Sequence, residues 1–139
     1  VGDTFRWKGE NVATTEVEAA LNKFTGVEQA CVYGVQVPGT DGRAGMAALT
    51  IRDAFDGVAL AAHLQKELPA YAVPVFIRLR AEQEVTGTFK FRKVELKKEG
   101  FDPAQVKDGP LYVLLDRESG YVPIAAEVFT RIGNGTVRL

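Results

Sequence analysis

The sequence predicts an α+β fold, a small and mostly antiparallel sheet with packed helices, an N-terminal two-stranded hairpin and a C-terminal extension. Three observations lead there. Extended runs of branched and aromatic residues alternate with segments whose apolar residues recur at helical spacing. Clusters of Gly, Pro, Asp and Asn punctuate them. Finally, the apolar runs are short, on the scale of Val58 to Ala62, far below the roughly eighteen residues a membrane span requires. With 139 residues, 46% hydrophobic and 25% charged, the chain has the makeup of one soluble globular domain with a modest core.

Asp3-Thr4-Phe5-Arg6-Trp7 and Asn11-Val12-Ala13 read as short extended pieces bent around Lys8-Gly9-Glu10, with Gly9 as the turn residue. Thr15-Glu16-Val17-Glu18 fits a capping box, in which the threonine hydroxyl and the later glutamate satisfy amides at a helix start. Val17, Ala20, Leu21 and Phe24 then line one face, and Thr25-Gly26 stops the helix. Ala30 to Val37 and Ala44 to Arg52, joined by Pro38-Gly39-Thr40-Asp41-Gly42, predict an antiparallel hairpin. Gly39, Gly42 and Gly45 lack the spacing of a dinucleotide fingerprint, and no helix follows them.

A second helix is expected from Gly57 to Glu67, with Leu60, Leu64 and Leu68 on one face and Pro69 as terminator. His63 lies off that stripe without a partner in view, which makes it a surface residue rather than a base. Val73 to Arg80 alternates as a strand, Val75, Ile77 and Leu79 inward against Phe76, Arg78 and Arg80. A turn, Val85-Thr86-Gly87-Thr88-Phe89-Lys90, follows and leads into a short basic helix. Gly87 and its flanking threonines make this turn tight enough to aim the Lys90 charge, although a turn lysine is ordinarily just solvated.

Beyond Gly100, Asp102-Pro103 and Asp108-Gly109-Pro110 break structure. Leu111 to Leu115 reads as a strand. Ile124, Val128 and Ile132 predict a last helix after Pro123, and Asn134-Gly135 a turn before Thr136 to Leu139. The expected organisation is a domain over 1–100 with an extension over 101–139 packed on it.

Composition excludes several function classes. One cysteine, Cys31, and one histidine rule out a disulfide framework and a multi-ligand zinc site, and suit a reducing compartment. Cys31 is expected as a small core hydrophobe and Trp7 as a packing residue. A net charge of −1 gives no global reason to bind nucleic acid. Locally, five basic residues stand against Glu95 between Lys90 and Lys98, a patch that suits an anionic ligand or is simply a solvated helix face. No secretory signal opens the chain, which points to the cell interior. Its first residue is Val1, so a fragment of a longer protein is expected.

The stretch Gly2-Asp3-Thr4-Phe5-Arg6-Trp7-Lys8-Gly9-Glu10-Asn11-Val12-Ala13-Thr14-Thr15-Glu16-Val17-Glu18 resembles the opening of the C-terminal domain of adenylate-forming enzymes. Its wording is similar to one branch, the fatty-acid transport proteins and very-long-chain acyl-CoA synthetases. Thr86-Gly87-Thr88-Phe89-Lys90-Phe91-Arg92-Lys93-Val94-Glu95-Leu96 resembles that branch's late lysine motif, and Gly100 to Leu139 its tail. Phe89 departs from the glycine that many members of the superfamily carry before the lysine, and Gly2 from the aspartate or lysine frequent at the hinge.

The resemblance implies the mobile C-terminal domain of a long- or very-long-chain fatty acid–CoA ligase, inactive by itself because a large N-terminal adenylation domain is absent. It implies ATP and coenzyme A as substrates, with Mg2+ accompanying ATP in the full-length enzyme. Lys90 is the implied catalytic residue of adenylation. Arg6, Lys8, Gly9, Glu10 and Asn11 are the implied coenzyme A and adenylate surface, and Gly2 and Asp3 the hinge about which the domain rotates. Cytoplasmic placement is expected, with membrane association, if any, arising through the missing part. A ligase for sterol side chains or other bulky acids, and a non-catalytic anion-binding module, are the alternatives.

Overall fold

The computed structural model describes residues 4–38, 42–52, 54–80, 96–106, 109–116 and 118–135. The chain opens with β1 (Thr4–Trp7) and β2 (Glu10–Ala13), an antiparallel pair that stands as a separate two-stranded sheet. Arg6 lies opposite Asn11 and Trp7 opposite Glu10. Phe5, Trp7 and Val12 are buried while the residues between them are exposed, the period-two pattern the sequence carries.

The first helix, α1 (Thr14–Asn22), follows β2 without a loop. Its cap position belongs to Ala13, so the expected capping box over Thr15 to Glu18 does not form: Thr15 is already inside the helix. Because β2 docks on the body of the domain, tertiary packing rather than a side-chain cap fixes where the helix begins. Glu18 is used elsewhere, its carboxylate accepting from the Val32 amide at 2.9 Å.

Five strands form the main sheet in the order β3 (Val27–Val35), β4 (Ala44–Ile51), β5 (Phe76–Leu79), β6 (Leu111–Leu114) and β7 (Tyr121–Pro123). The β4–β5 pairing is parallel and the other pairings are antiparallel, giving the α+β architecture expected. The parallel step is made by α2 (Gly57–Glu67), which crosses over from β4 and ends before Pro69. Asp56 caps α2 by accepting from the Ala59 amide at 3.0 Å. Leu60, Ala61 and Leu64 form its buried stripe.

His63 is not a bare surface residue. Its Nε2 lies 2.8 Å from the Ala20 carbonyl, and its ring centroid 5.2 Å from that of Phe24, so it joins α2 to the end of α1. The alternation expected in β5 also fails, since Phe76, Ile77 and Arg78 are all buried. The cause is position. This strand lies between β4 and β6, with α1 and α2 on one side and the C-terminal residues on the other. There Phe76 stacks on Phe101 at 4.2 Å between centroids, and Arg78 donates to Glu99 at 2.7 Å.

Past Gly100 the chain adds β6 beside β5 and β7 beside β6. Pro123, after which a helix is expected, ends β7, an outer strand among the described residues, where the missing amide of proline is tolerated. The last helix, α3 (Ala126–Gly133), begins three residues later, with Ile132 buried. Tyr121 ties this region to the domain by donating its hydroxyl to the Pro74 carbonyl at 2.6 Å. The expected run after Asn134-Gly135, Thr136 to Leu139, lies outside the described residues.

Candidate functional site

The turn between β1 and β2 holds two residues, Lys8 at φ 51° and Gly9 at φ 81°. Two consecutive positive φ values define a tight primed turn whose twist suits a hairpin. Glycine enters that region without steric cost, while Lys8 is held there by its neighbours. The Lys8 ammonium sits 5.7 Å from the Trp7 ring centroid, a cation–π contact that keeps the charge over the buried tryptophan.

Alternation then separates the hairpin's two roles. Phe5, Trp7 and Val12 pack, and Trp7 is only 4% exposed. Arg6, Lys8, Gly9, Glu10 and Asn11 are all exposed, at or next to the turn, Arg6 and Asn11 on one face of the hairpin and Glu10 on the face it shares with Trp7. The residues predicted for a coenzyme A surface are therefore all exposed at the turn end of the hairpin.

Against that end the loop after β3 brings a further cation. The Arg43 amide donates to the Arg6 carbonyl at 2.7 Å, and Trp7 forms a β-bridge with Gly42. A Cβ on Gly42 would collide with the Arg6 carbonyl oxygen, and its φ of +78° also favours glycine. Arg6, Arg43 and Lys97 line a pocket of about 260 Å³ together with Thr4 and Tyr33. Three cations around one concavity form a surface suited to phosphate or carboxylate groups. The Tyr33 hydroxyl is buried and has no hydrogen-bond partner among the described residues. Burial pushes its pKa well above the usual tyrosine value, with the nearby Arg78 charge acting against that rise.

Arg43 escaped the sequence reading because it sits in an apparent turn; its own backbone bond to Arg6 brings it beside the hairpin. Arg78 and Glu99 form a charge pair near the end of β5, the arginine side chain 3% and the glutamate 36% exposed. The pair links β5 to a helical segment over 96–99, whose Lys97 and Lys98 are exposed. Lys90, Gly2 and Asp3 lie outside the described residues, as do Arg92 and Lys93. Among the described residues no cluster of three or more His, Cys, Asp or Glu could hold a metal ion. No described helix is long and apolar enough to cross a membrane.

Comparison with known proteins gives this geometry a context. The model of the AMP-binding enzyme C-terminal domain matches residues 16–90. The medium/long-chain fatty-acid–CoA ligase FadD6 of Mycobacterium tuberculosis is 56% identical over 129 residues, covering 91% of this chain and 21% of that protein. Long-chain fatty acid transport protein 2 of Rattus norvegicus is 48% identical over 141 residues, covering 100% of this chain and 23% of that protein. The chain thus spans about a fifth of the length of these curated relatives. Among solved structures, a Mycobacterium tuberculosis fatty acyl CoA synthetase shares the fold, with a TM-score of 0.60 and 21% identity over 70% of this chain and 19% of that one.

Proposed function

Since the chain belongs to the family of AMP-binding enzyme C-terminal domains, we propose that it is the mobile domain of an ATP-dependent fatty acid–CoA ligase acting on long or very long acyl chains. The names of its relatives support the substrate class. The observation that carries the reading is the hairpin: an exposed polar edge with a side-chain-free Gly9 at its tip, beside a pocket holding Arg6, Arg43 and Lys97.

Two half-reactions require two surfaces. In adenylation a fatty carboxylate attacks the α-phosphate of ATP, both reactants are anionic, and charge moves onto the leaving pyrophosphate. Lys90 is the point charge we assign to that step, where a positioned cation or donor contributes on the order of 10²–10³ in rate. In thioester formation the thiol of coenzyme A displaces AMP from the acyl-adenylate. Gly9 lets the narrow pantetheine arm pass close to the backbone. Arg6, Lys8 and Arg43 supply cations for the phosphates of coenzyme A, while Glu10 and Asn11 offer polar contacts beside the turn.

Rotation about Gly2 and Asp3 would exchange the two surfaces over one active site in the upstream adenylation domain. Mg2+ is assigned to the triphosphate of ATP in the full-length enzyme.

The test uses the full-length enzyme. Lys90→Ala is expected to nearly abolish adenylation, followed by ATP–pyrophosphate exchange, and to spare thioester formation from a preformed acyl-adenylate. Gly9→Leu is expected to do the reverse. Equal loss of both half-reactions in Lys90→Ala, or a normal second half-reaction in Gly9→Leu, would sink the assignments. A panel of acyl chains and sterol acids on the same enzyme then sets the substrate.

A further inference from the structure

We infer that Gly34 and Gly45 form a seat for Phe5 that fixes where the β1–β2 hairpin stands, making both glycines positioning residues for the thioester-forming half-reaction. The inference rests on the reading of the hairpin as the coenzyme A surface.

Gly34 of β3 and Gly45 of β4 are direct cross-strand partners. Partners in a ladder project to the same face, so two absent side chains leave a bare patch of backbone on the sheet. Phe5 lies across it. A Cβ on Gly34 would stand 2.8 Å from the Phe5 Cβ, 2.9 Å from its Cγ and 2.9 Å from the Arg43 Cβ, whereas one on Gly45 would stand 3.1 Å from the Phe5 Cζ. The root of the ring therefore rests on one glycine and its tip on the other.

Neither glycine is among the residues with positive φ. What requires glycine at both positions is the closeness of β1 to the sheet.

From Phe5 the strand continues through Arg6 and Trp7 directly into the Lys8–Gly9 turn. β1 is fastened further along by the buried Trp7 and by the backbone contacts of Arg6 and Trp7 with Gly42 and Arg43. A methyl group under Phe5 lifts the root of a short, stiff hairpin and carries its tip away from the path of the thiol.

Because misplacement by about 1 Å can cost on the order of 10² in rate, Gly34→Ala, which meets the immovable Cβ of Phe5, should slow thioester formation by about 10² and Gly45→Ala by about 10. Adenylation should be unchanged in both, because that step does not use the hairpin.

The experiment is performed on the full-length enzyme, measuring ATP–pyrophosphate exchange and, separately, acyl-CoA formation from preformed acyl-adenylate and coenzyme A. Phe5→Leu added to Gly45→Ala removes the ring tip and should restore most of the lost second step. Loss shared equally by both half-reactions, no loss in either variant, or no restoration by Phe5→Leu each overturns the inference. Should Gly34→Ala fail to fold, the Gly45→Ala pair decides alone. Failure of the underlying reading is distinguishable, because then Gly9→Leu itself would leave the second half-reaction normal.

Discussion

The β1–β2 hairpin buries one face, whereas the β3–β4 pair, also antiparallel, is buried on both along most of β4. Ala44 through Leu49 are buried without interruption, the run containing Gly45 and three alanines besides Met46 and Leu49. Small residues let helices and the N-terminal hairpin approach one face while the C-terminal aromatic residues approach the other. A half-buried strand pair can devote its outward positions to ligands. A doubly covered one has only packing to offer, so changes in the two regions should fail differently: stability in the sheet, chemistry in the hairpin.

Arg78→Ala should give the largest stability effect. It removes the buried member of the Arg78–Glu99 pair, 3% exposed, and leaves a cavity in β5. Loss of one partner from a buried pair costs about 3–5 kcal/mol, and the lower end applies because Glu99 retains water contact. Urea denaturation measures it, and a loss under about 1 kcal/mol would mean that β5 behaves as a half-exposed strand after all.

Tyr121 and Tyr33 sharpen the comparison within the sheet. Tyr121→Phe removes a buried hydrogen bond to the Pro74 carbonyl and should cost about 1–2 kcal/mol. Tyr33→Phe removes a buried hydroxyl without a partner among the described residues and should be neutral or stabilising by up to about 1 kcal/mol. Equal costs in the two variants would contradict this contrast.

Alkali offers an independent view of the same residues. Burial raises the pKa of both hydroxyls above the ordinary value of 10.0. A raised folded pKa means that the folded state holds its proton more tightly than the unfolded chain. That stability is complete below the unfolded value near 10, and it is lost as the pH rises from there through the folded pKa. Denaturation midpoints should therefore fall above about pH 10. The fall should be shallower in either phenylalanine variant, and an unchanged slope in both would argue against burial as its cause.

The smallest stability effects belong to the hairpin edge. Arg6→Ala and Lys8→Ala should each shift stability by about 0.5 kcal/mol or less, because both side chains are exposed. The same variants are expected to raise the KM for coenzyme A in the full-length enzyme. A stability loss comparable to that of Arg78→Ala, with normal coenzyme A kinetics, would make the edge structural.

The features that were legible in the chain are those encoded locally. Gly57 to Glu67 carries its leucine stripe and terminating proline in one continuous segment, and Lys8-Gly9 carries its turn between alternating residues. Helix α1 was legible but its start was not, because docking of β2 set the boundary that Thr15 and Glu18 had suggested. Arg78 looked outward by alternation, and only the return of Glu99 and Phe101 across β5 buries it. His63 likewise met Ala20 and Phe24 through the packing of two helices that its own neighbours do not report. Of the candidate site, the hairpin residues came from a contiguous motif. Arg43 and the Gly34–Gly45 seat depend on strand register and on how one sheet lies on another, which pairwise spacing along the chain does not encode.

The bond from Val32 to Glu18 also closes a border of the sheet. Among the described residues β3 is an outer strand of the sheet, and an outer edge invites another strand to add itself. At Val32 an intruder would find the amide already engaged by a carboxylate, and displacing it would strand a negative charge inside a new sheet. At the opposite border Pro123 has no amide to give. The described sheet thus carries an electrostatic guard on one flank and a covalent one on the other, each placed where a foreign strand would otherwise be zipped on.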